Sequence, residues 1–319
     1  MASKRALLVG IDLYPDHRNN LNSCVADTQR FRGLLLDHYG FRSEDITLLH
    51  NSAATLANVR IGLSQLLAGA AADDEIVFFQ SSHGYRYVKG ATYIEVLCMY
   101  DQFLEDTELV HFSNQAPEGA FTCIIDACHA AGMEKLFFAP NGLQVTRAKV
   151  WQPPPEQAAA DMALLAQASS FKSFGRKATS DTGAVAKQFS GEALGAEVPP
   201  AKAGEGQSEL NGVLLAACLA DQTAAAGSPP TAGLSAFTWA LGLELDAGGA
   251  TVPVAALRDG IAQRLAELNM RQTPVAEAPM AHGGWLTEPL ITHGASGATS
   301  TPSADDEIEA FLQSLGIGV

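Results

Sequence analysis

Two residues in this chain have the type and placement for nucleophilic hydrolysis: Cys128, and His83 forty-five positions before it. The thiolate is the nucleophile, and a free cysteine is mostly protonated near neutral pH, so it needs a base at hand. An imidazole titrates in the right range to be that base. Cys128 closes the stretch Phe121-Thr-Cys-Ile-Ile-Asp126-Ala-Cys128-His129-Ala-Ala-Gly132, and His83 closes Glu75-Ile-Val-Phe-Phe-Gln-Ser81-Ser82-His83-Gly84. Each begins as an apolar run of strand length and ends in small or polar residues. Such runs read as buried strands of a parallel sheet, apolar on both sides because helices cover both faces. Open α/β sheets place their chemistry at the carboxyl ends of the strands. Adjacent strands lie ~4.8 Å apart, so two such ends bring an imidazole near a thiol.

The pair Ser81-Ser82-His83-Gly84 and Asp126-Ala127-Cys128-His129-Ala130 resembles the catalytic segments of the caspase-like cysteine peptidases. Caspases carry Gln-Ala-Cys with the histidine about 50 residues upstream. Asp126 in place of that Gln is the pattern of the metacaspases and their bacterial relatives, the orthocaspases. The resemblance continues in Cys24-Val-Ala-Asp27, similar to the family's Cys-x-Asn-Asp, in Cys218-Leu-Ala-Asp221-Gln222-Thr223, and in Gln272-Thr-Pro. It is strongest over residues 4–132 and 212–277. Ala224-Ala-Ala stands where the family usually has Ser-Ala-Asp, and Ala130-Ala131 where it often has Ser-Gly.

What the resemblance implies is a caspase-haemoglobinase fold of the α/β class, a mostly parallel sheet flanked by helices on both faces. Cys128 is then the nucleophile, His83 the base, and the backbone N–H groups of Gly84 and Cys128 the oxyanion donors; a glycine there lets the backbone approach the substrate. His129, though adjacent to the nucleophile, is not assigned the base role. Asp27, Ser81 and Asp126 are implied to line the primary pocket, with Cys24 in the same motif and Asp221 a further acidic candidate. Two carboxylates in one pocket favour a cationic side chain, and Arg matches carboxylates bidentately. Cleavage after Arg or Lys is expected, one carboxylate holding a proton until a cation arrives. Many metacaspases need calcium, which takes six to eight oxygens. The candidate ligands here are Asp101, Glu105 and Asp106, whose other reading is a solvated loop and a helix start, where acids suit the helix dipole. Two rivals stand beside the peptidase: a catalytically silent scaffold or binding protein of the same fold, and a clostripain-like enzyme.

The elements that must position these residues follow in order. Residues 5–11 form a first strand, and residues 21–36 carry apolar positions at helical spacing with Asp27 among them. A second strand over 45–50 and a helix over 53–70, capped by Thr55, precede the His83 strand. Residues 93–100 read as a further strand. After the Cys128 strand the pattern dissolves over 137–210, a connector holding Pro153-Pro-Pro155 and seven basic residues, Arg147, Lys149, Lys172, Arg176, Lys177, Lys187 and Lys202. Connectors of this length inside a compact fold are functional or disordered; caspase-like enzymes cut themselves in such a segment. Order returns with the apolar strand from Gly212, amphipathic helices over 235–245 and 253–268, and an edge strand over 284–290.

Composition sets the frame. With 319 residues, 47% hydrophobic and 17% charged, the chain is long enough for a sizeable core. A formal charge of −15 argues against nucleic acid and anionic membranes and mildly for basic peptides. Five cysteines without metal spacing, and no signal peptide at Met1-Ala-Ser-Lys-Arg, suit reduced thiols in a cytoplasm. The peptidase domain is expected over 1–291, followed by a flexible Gly/Ala/Ser/Thr linker over 292–304 and a C-terminal docking peptide over 305–319. Its ending Ser-Leu-Gly-Ile-Gly resembles the tails that load cargo into bacterial encapsulin shells, which would make a shell protein a partner. The remaining expectations are Arg- or Lys-containing substrates and a monomer.

Overall fold

The structure, a computed structural model, describes residues 2–89, 92–128, 136–138, 144–159, 170–171, 209–219 and 222–291. Twelve strands and five helices are used below: β1 (Lys4–Gly10), α1 (Cys24–His38), β2 (Ile46–His50), α2 (Leu56–Leu67), β3 (Glu75–Ser81), β4 (Gly84–Lys89), β5 (Thr92–Cys98), β6 (Phe103–Glu105), α3 (Asp106–Ser113), β7 (Phe121–Asp126), β8 (Leu136–Phe138), β9 (Gln144–Arg147), β10 (Ser170–Phe171), β11 (Val213–Ala216), α4 (Ala236–Gly248), α5 (Val254–Glu267) and β12 (Val275–Glu277). Six strands form the central sheet in the order β12-β11-β7-β3-β1-β2. All its pairings are parallel except the edge pair β11–β12.

The continuous apolar runs form strands because each face of the sheet has its own core. In β3, Val77 and Phe79 face one cluster and Ile76 and Phe78 the other; in β1, Ala6 and Leu8 oppose Leu7 and Val9. Phe79 stacks on Phe31 of α1 with centroids 4.6 Å apart. The first face is covered by α1, α4 and α5, and the second by α2, α3 and a smaller sheet. Gly10, where β1 ends, allows the first turn of α1 to close in: a Cβ there would sit 2.5 Å from the Cys24 carbonyl oxygen. Thr55 caps α2 as expected, its hydroxyl accepting from Asn58 N–H at 3.2 Å.

Three expectations about elements are corrected. The strand over 93–100 lies outside the central sheet, in a second sheet of order β10-β5-β4 with β6 on β5. β4 itself was not foreseen. Residues 284–290 form no strand: Met280–Thr287 is a 3-10 segment, and the edge strand is β12. Part of the stretch read as patternless, residues 144–159, is described and runs along the site. The linker over 292–304 and the tail over 305–319 lie outside the described residues. No helix among the described residues is long and apolar enough to cross a membrane.

Candidate active site

The register of β3 and β7 pairs Ser81 with Asp126. His83 and Cys128 therefore stand at the same offset, two residues past that pair, at the carboxyl end of adjacent parallel strands. Ser82 N–H donates to the Asp126 carbonyl at 3.4 Å and holds the two ends together. Both side chains are buried, His83 at 2% and Cys128 at 0% exposure.

The histidine is oriented from two sides. Its Nε2 lies 2.7 Å from the Asn19 carbonyl oxygen. A carbonyl only accepts, so Nε2 carries the hydrogen and Nδ1 is left with its lone pair. Nδ1 is buried without a hydrogen-bond partner, so its lone pair can accept a proton. Behind it, the Tyr14 hydroxyl accepts from the His83 N–H at 3.2 Å and donates to the Cys98 carbonyl at 3.2 Å. Burial pulls the imidazole down to about 4, against the hydrogen bond to Asn19, which favours its charged form. Burial likewise pushes the Cys128 thiol up to about 12, although the Ala224 amide and the Lys149 charge favour the thiolate. The resting pair is thus neutral thiol and neutral imidazole.

The acidic residues of the motif lie together beside this strand end, around a buried cation. Asp27, in the first turn of α1, and Asp126, at the end of β7, are both fully buried. Asp27 accepts from Ser235 N–H at 2.9 Å, from the Ser235 hydroxyl, and from Ser81 Oγ at 2.7 Å. Asp126 Oδ2 accepts from Thr238 Oγ1 at 2.6 Å. Ser235 caps α4 and Thr238 lies in its first turn, so the positive end of that helix faces the carboxylates. Between the carboxylates lies Lys149 with no exposure. Its Nζ donates to Ser81 Oγ at 2.8 Å, to the Asp126 carbonyl at 3.0 Å and to Asp27 Oδ2 at 3.3 Å. It also lies 2.8 Å from Asp126 Oδ1, an ion pair rather than an aligned hydrogen bond. Burial opposes the ammonium, but Asp126, Cys24 and Asp27 together hold its pKa above the ordinary lysine value. Asp27 is raised to about 6, by burial first and by Asp126 next, with Lys149 pulling the other way. The Cys24 thiol lies beside Ser81 and Lys149 at the pocket wall.

The backbone around Lys149 is held like an added strand. Lys149 N–H donates to the Ala224 carbonyl at 2.9 Å, and Ala226 N–H to the Arg147 carbonyl at 2.9 Å. On the other edge, Gly84 N–H donates to the Lys149 carbonyl at 3.0 Å, and Trp151 N–H to the Gly84 carbonyl at 3.0 Å. Gln272 braces the first edge: its amide donates to the Ala217 carbonyl at 3.0 Å, and its Oε1 accepts from Ala225 N–H at 3.1 Å. Pairing an extended peptide with a strand edge on each side is a common way to bind one, with pockets for alternate side chains.

Of the residues named from sequence, His83, Gly84, Cys128, Asp27, Ser81, Asp126 and Cys24 meet at this one end of the sheet. Asp221 lies outside the described residues, as does His129. The calcium ligands do not fit a metal site: among the described residues no three His, Cys, Asp or Glu side chains are grouped to hold an ion. Asp101 Oδ1 accepts from Leu56 N–H at 2.9 Å at the start of α2, Glu105 accepts from the Tyr87 hydroxyl at 2.6 Å, and Asp106 opens α3. Sequence reasoning missed Asn19, Tyr14, Ser235, Thr238 and Lys149. Only Lys149 had a signal, as one of the connector's basic residues.

The caspase domain model matches residues 3–293. The chain belongs to the caspase domain family of cysteine peptidases. Metacaspase-7 of Arabidopsis thaliana is 34% identical over 145 residues, covering 41% of this chain and 36% of that protein. Metacaspase-9 of the same plant is 33% identical over 149 residues, covering 42% and 45%. The chain thus spans less than half the length of these relatives. A Geobacter sulfurreducens protein of known structure superposes with a TM-score of 0.58 at 19% identity, covering 91% of this chain and 99% of that one, a likeness of fold. The central parallel sheet with helices on both faces is the caspase-like architecture.

Proposed function

We infer that this chain is a cysteine endopeptidase that cuts after Lys or Arg, with Cys128 as nucleophile and His83 as general base, and that its own Lys149–Val150 bond is a substrate. The observation that carries the reading is the position of Lys149: its side chain fills the acidic pocket while its carbonyl oxygen receives the Gly84 N–H beside Cys128 and His83. Substrate binding at such a site requires those two contacts together.

In the reaction, Sγ of Cys128 attacks the Lys149 carbonyl carbon as its proton passes to Nδ1 of His83. The oxyanion that forms stays on the Gly84 N–H. His83 returns the proton to the Val150 nitrogen, which leaves as the new amino terminus. Water, deprotonated by the same imidazole, then hydrolyses the thioester and frees the Lys149 carboxylate. Added substrates take the same place once the 147–151 segment withdraws. They are protein or peptide chains offering a basic side chain.

A chloromethylketone carrying Arg tests the site, because only an activated thiolate reacts with it rapidly. Labelling confined to Cys128, appearing as the 147–151 segment is cut and withdraws, and lost in His83→Ala, is the expected result. Equal labelling of an aspartyl reagent contradicts the acidic-pocket assignment, and no labelling by either favours the silent scaffold.

A further inference from the structure

Trp151, two residues beyond the Lys149 carbonyl, has its indole among three aromatic rings. Its centroid is 5.2 Å from Tyr14, 5.9 Å from Phe103 and 6.1 Å from His83, with interplanar angles of 70°, 84° and 78°. Edge-on arrangements at these separations are the favoured ones for aromatic pairs. The next residue is also held: Gln152 N–H donates to Asn19 Oδ1 at 2.7 Å, and Asn19 Nδ2 donates to the Gln152 carbonyl at 3.1 Å. The clasping side chain is 1% exposed and belongs to the residue whose carbonyl orients His83. Tyr14 and Asn19 come from the loop after β1, and Phe103 from β6, so two separate elements meet around one indole.

We propose that Tyr14, Phe103 and Asn19 form a binding subsite on the leaving-group side of the cleaved bond, one that selects a large aromatic side chain at the second position after the basic residue. The proposal rests on the peptidase reading above and narrows its substrate class to chains of the form basic–x–aromatic. Pre-cleavage contact with the rings that pack on His83 has a chemical consequence. An aromatic at this position excludes water from the imidazole and holds the leaving segment in line for proton return. A small residue leaves the rings facing solvent and the segment held by backbone alone.

The test uses the full-length protein and ten-residue peptides copying residues 145–154, with Trp151 kept or replaced by Phe, Leu or Gly. The expected result is cleavage after the lysine in all, with kcat/KM for the Trp peptide about tenfold above the Gly peptide and Phe within about threefold of Trp, as one well-packed aromatic cluster supplies. Phe103→Ala should narrow the Trp-to-Gly ratio. Equal rates for all four peptides, with the cut still after lysine, overturn the subsite and leave the peptidase reading intact. Cleavage of none overturns both, a preferred cut after Arg147 in the Trp peptide overturns the subsite alone, and cleavage after neither Arg147 nor Lys149 overturns the pocket on which the subsite depends.

Discussion

Nζ of Lys149 lies 2.8 Å from Oδ1 of Asp126, and neither side chain has any exposure to solvent. A buried ion pair costs desolvation on both partners and is recovered only where further hydrogen bonds satisfy the remaining atoms. Here Ser81 and Asp27 accept from the ammonium, and Thr238 donates to the carboxylate. The protein thus carries a cation of its own chain in the pocket proposed for the substrate's cation.

Removing that cation leaves two carboxylates facing each other out of water. In a Cys128→Ala background, which removes self-cleavage, Lys149→Met should lower unfolding stability by ~3–5 kcal/mol in urea titrations. Lys149→Arg should preserve most of it. With the active thiol present, Arg at 149 should still be cut and Met should not. A Met variant as stable as its parent, or cut at the same bond, contradicts the pocket.

The carboxylates should carry the preference for basic residues. Asp126→Asn should reduce kcat/KM on Lys or Arg peptides about a hundredfold, ~2.7 kcal/mol, the low end for loss of one partner of a buried charge pair. Rates on a peptide with a neutral residue at that position should change far less. An unchanged ratio would remove Asp126 from the pocket.

Asp27 is raised to about 6 even with Lys149 in place. Above that pH it is ionised and adds its charge to the pocket; as pH falls through about 6 it takes a proton and the hold on a cation weakens. The ratio of kcat/KM for Lys over a neutral residue, measured from pH 8 to pH 5, should therefore fall on the acid side. Asp27→Asn should flatten that dependence.

His83 gives stability a pH dependence of its own. Its folded pKa of about 4 lies below the ordinary histidine value of 6.5. The unfolded chain therefore binds more protons between these values, and stability rises with pH across the window. The contribution is full above about 6.5 and is lost towards pH 4, ~3 kcal/mol in all for a shift of this size. Denaturant titrations of Cys128→Ala and of Cys128→Ala with His83→Gln should diverge in this way. Parallel curves would mean the imidazole is not held neutral.

β3 and β7 were legible because burial on both faces leaves an unbroken apolar run, and each has one. The smaller sheet was not, because β4 reads Gly84-Tyr-Arg-Tyr-Val-Lys89 and its arginine looks solvated. Arg86 is buried instead, paired with Glu95 at 2.5 Å across the β4–β5 ladder. Lys149 was hidden for the same reason. Lysine is seldom fully buried unless paired, and its partners lie 122 and 23 positions away along the chain. Asn19 acts through its main-chain oxygen on His83, which no side-chain pattern encodes.

Mapping new chain ends by mass spectrometry, after incubating the purified wild-type protein beside Cys128→Ala and His83→Ala, tests the central claim most directly. The account predicts one early cut that leaves Lys149 as a carboxyl terminus and Val150 as an amino terminus, in the wild type alone. A wild-type chain that stays whole and cleaves no Lys or Arg peptide, or the same cut appearing in Cys128→Ala, would contradict it.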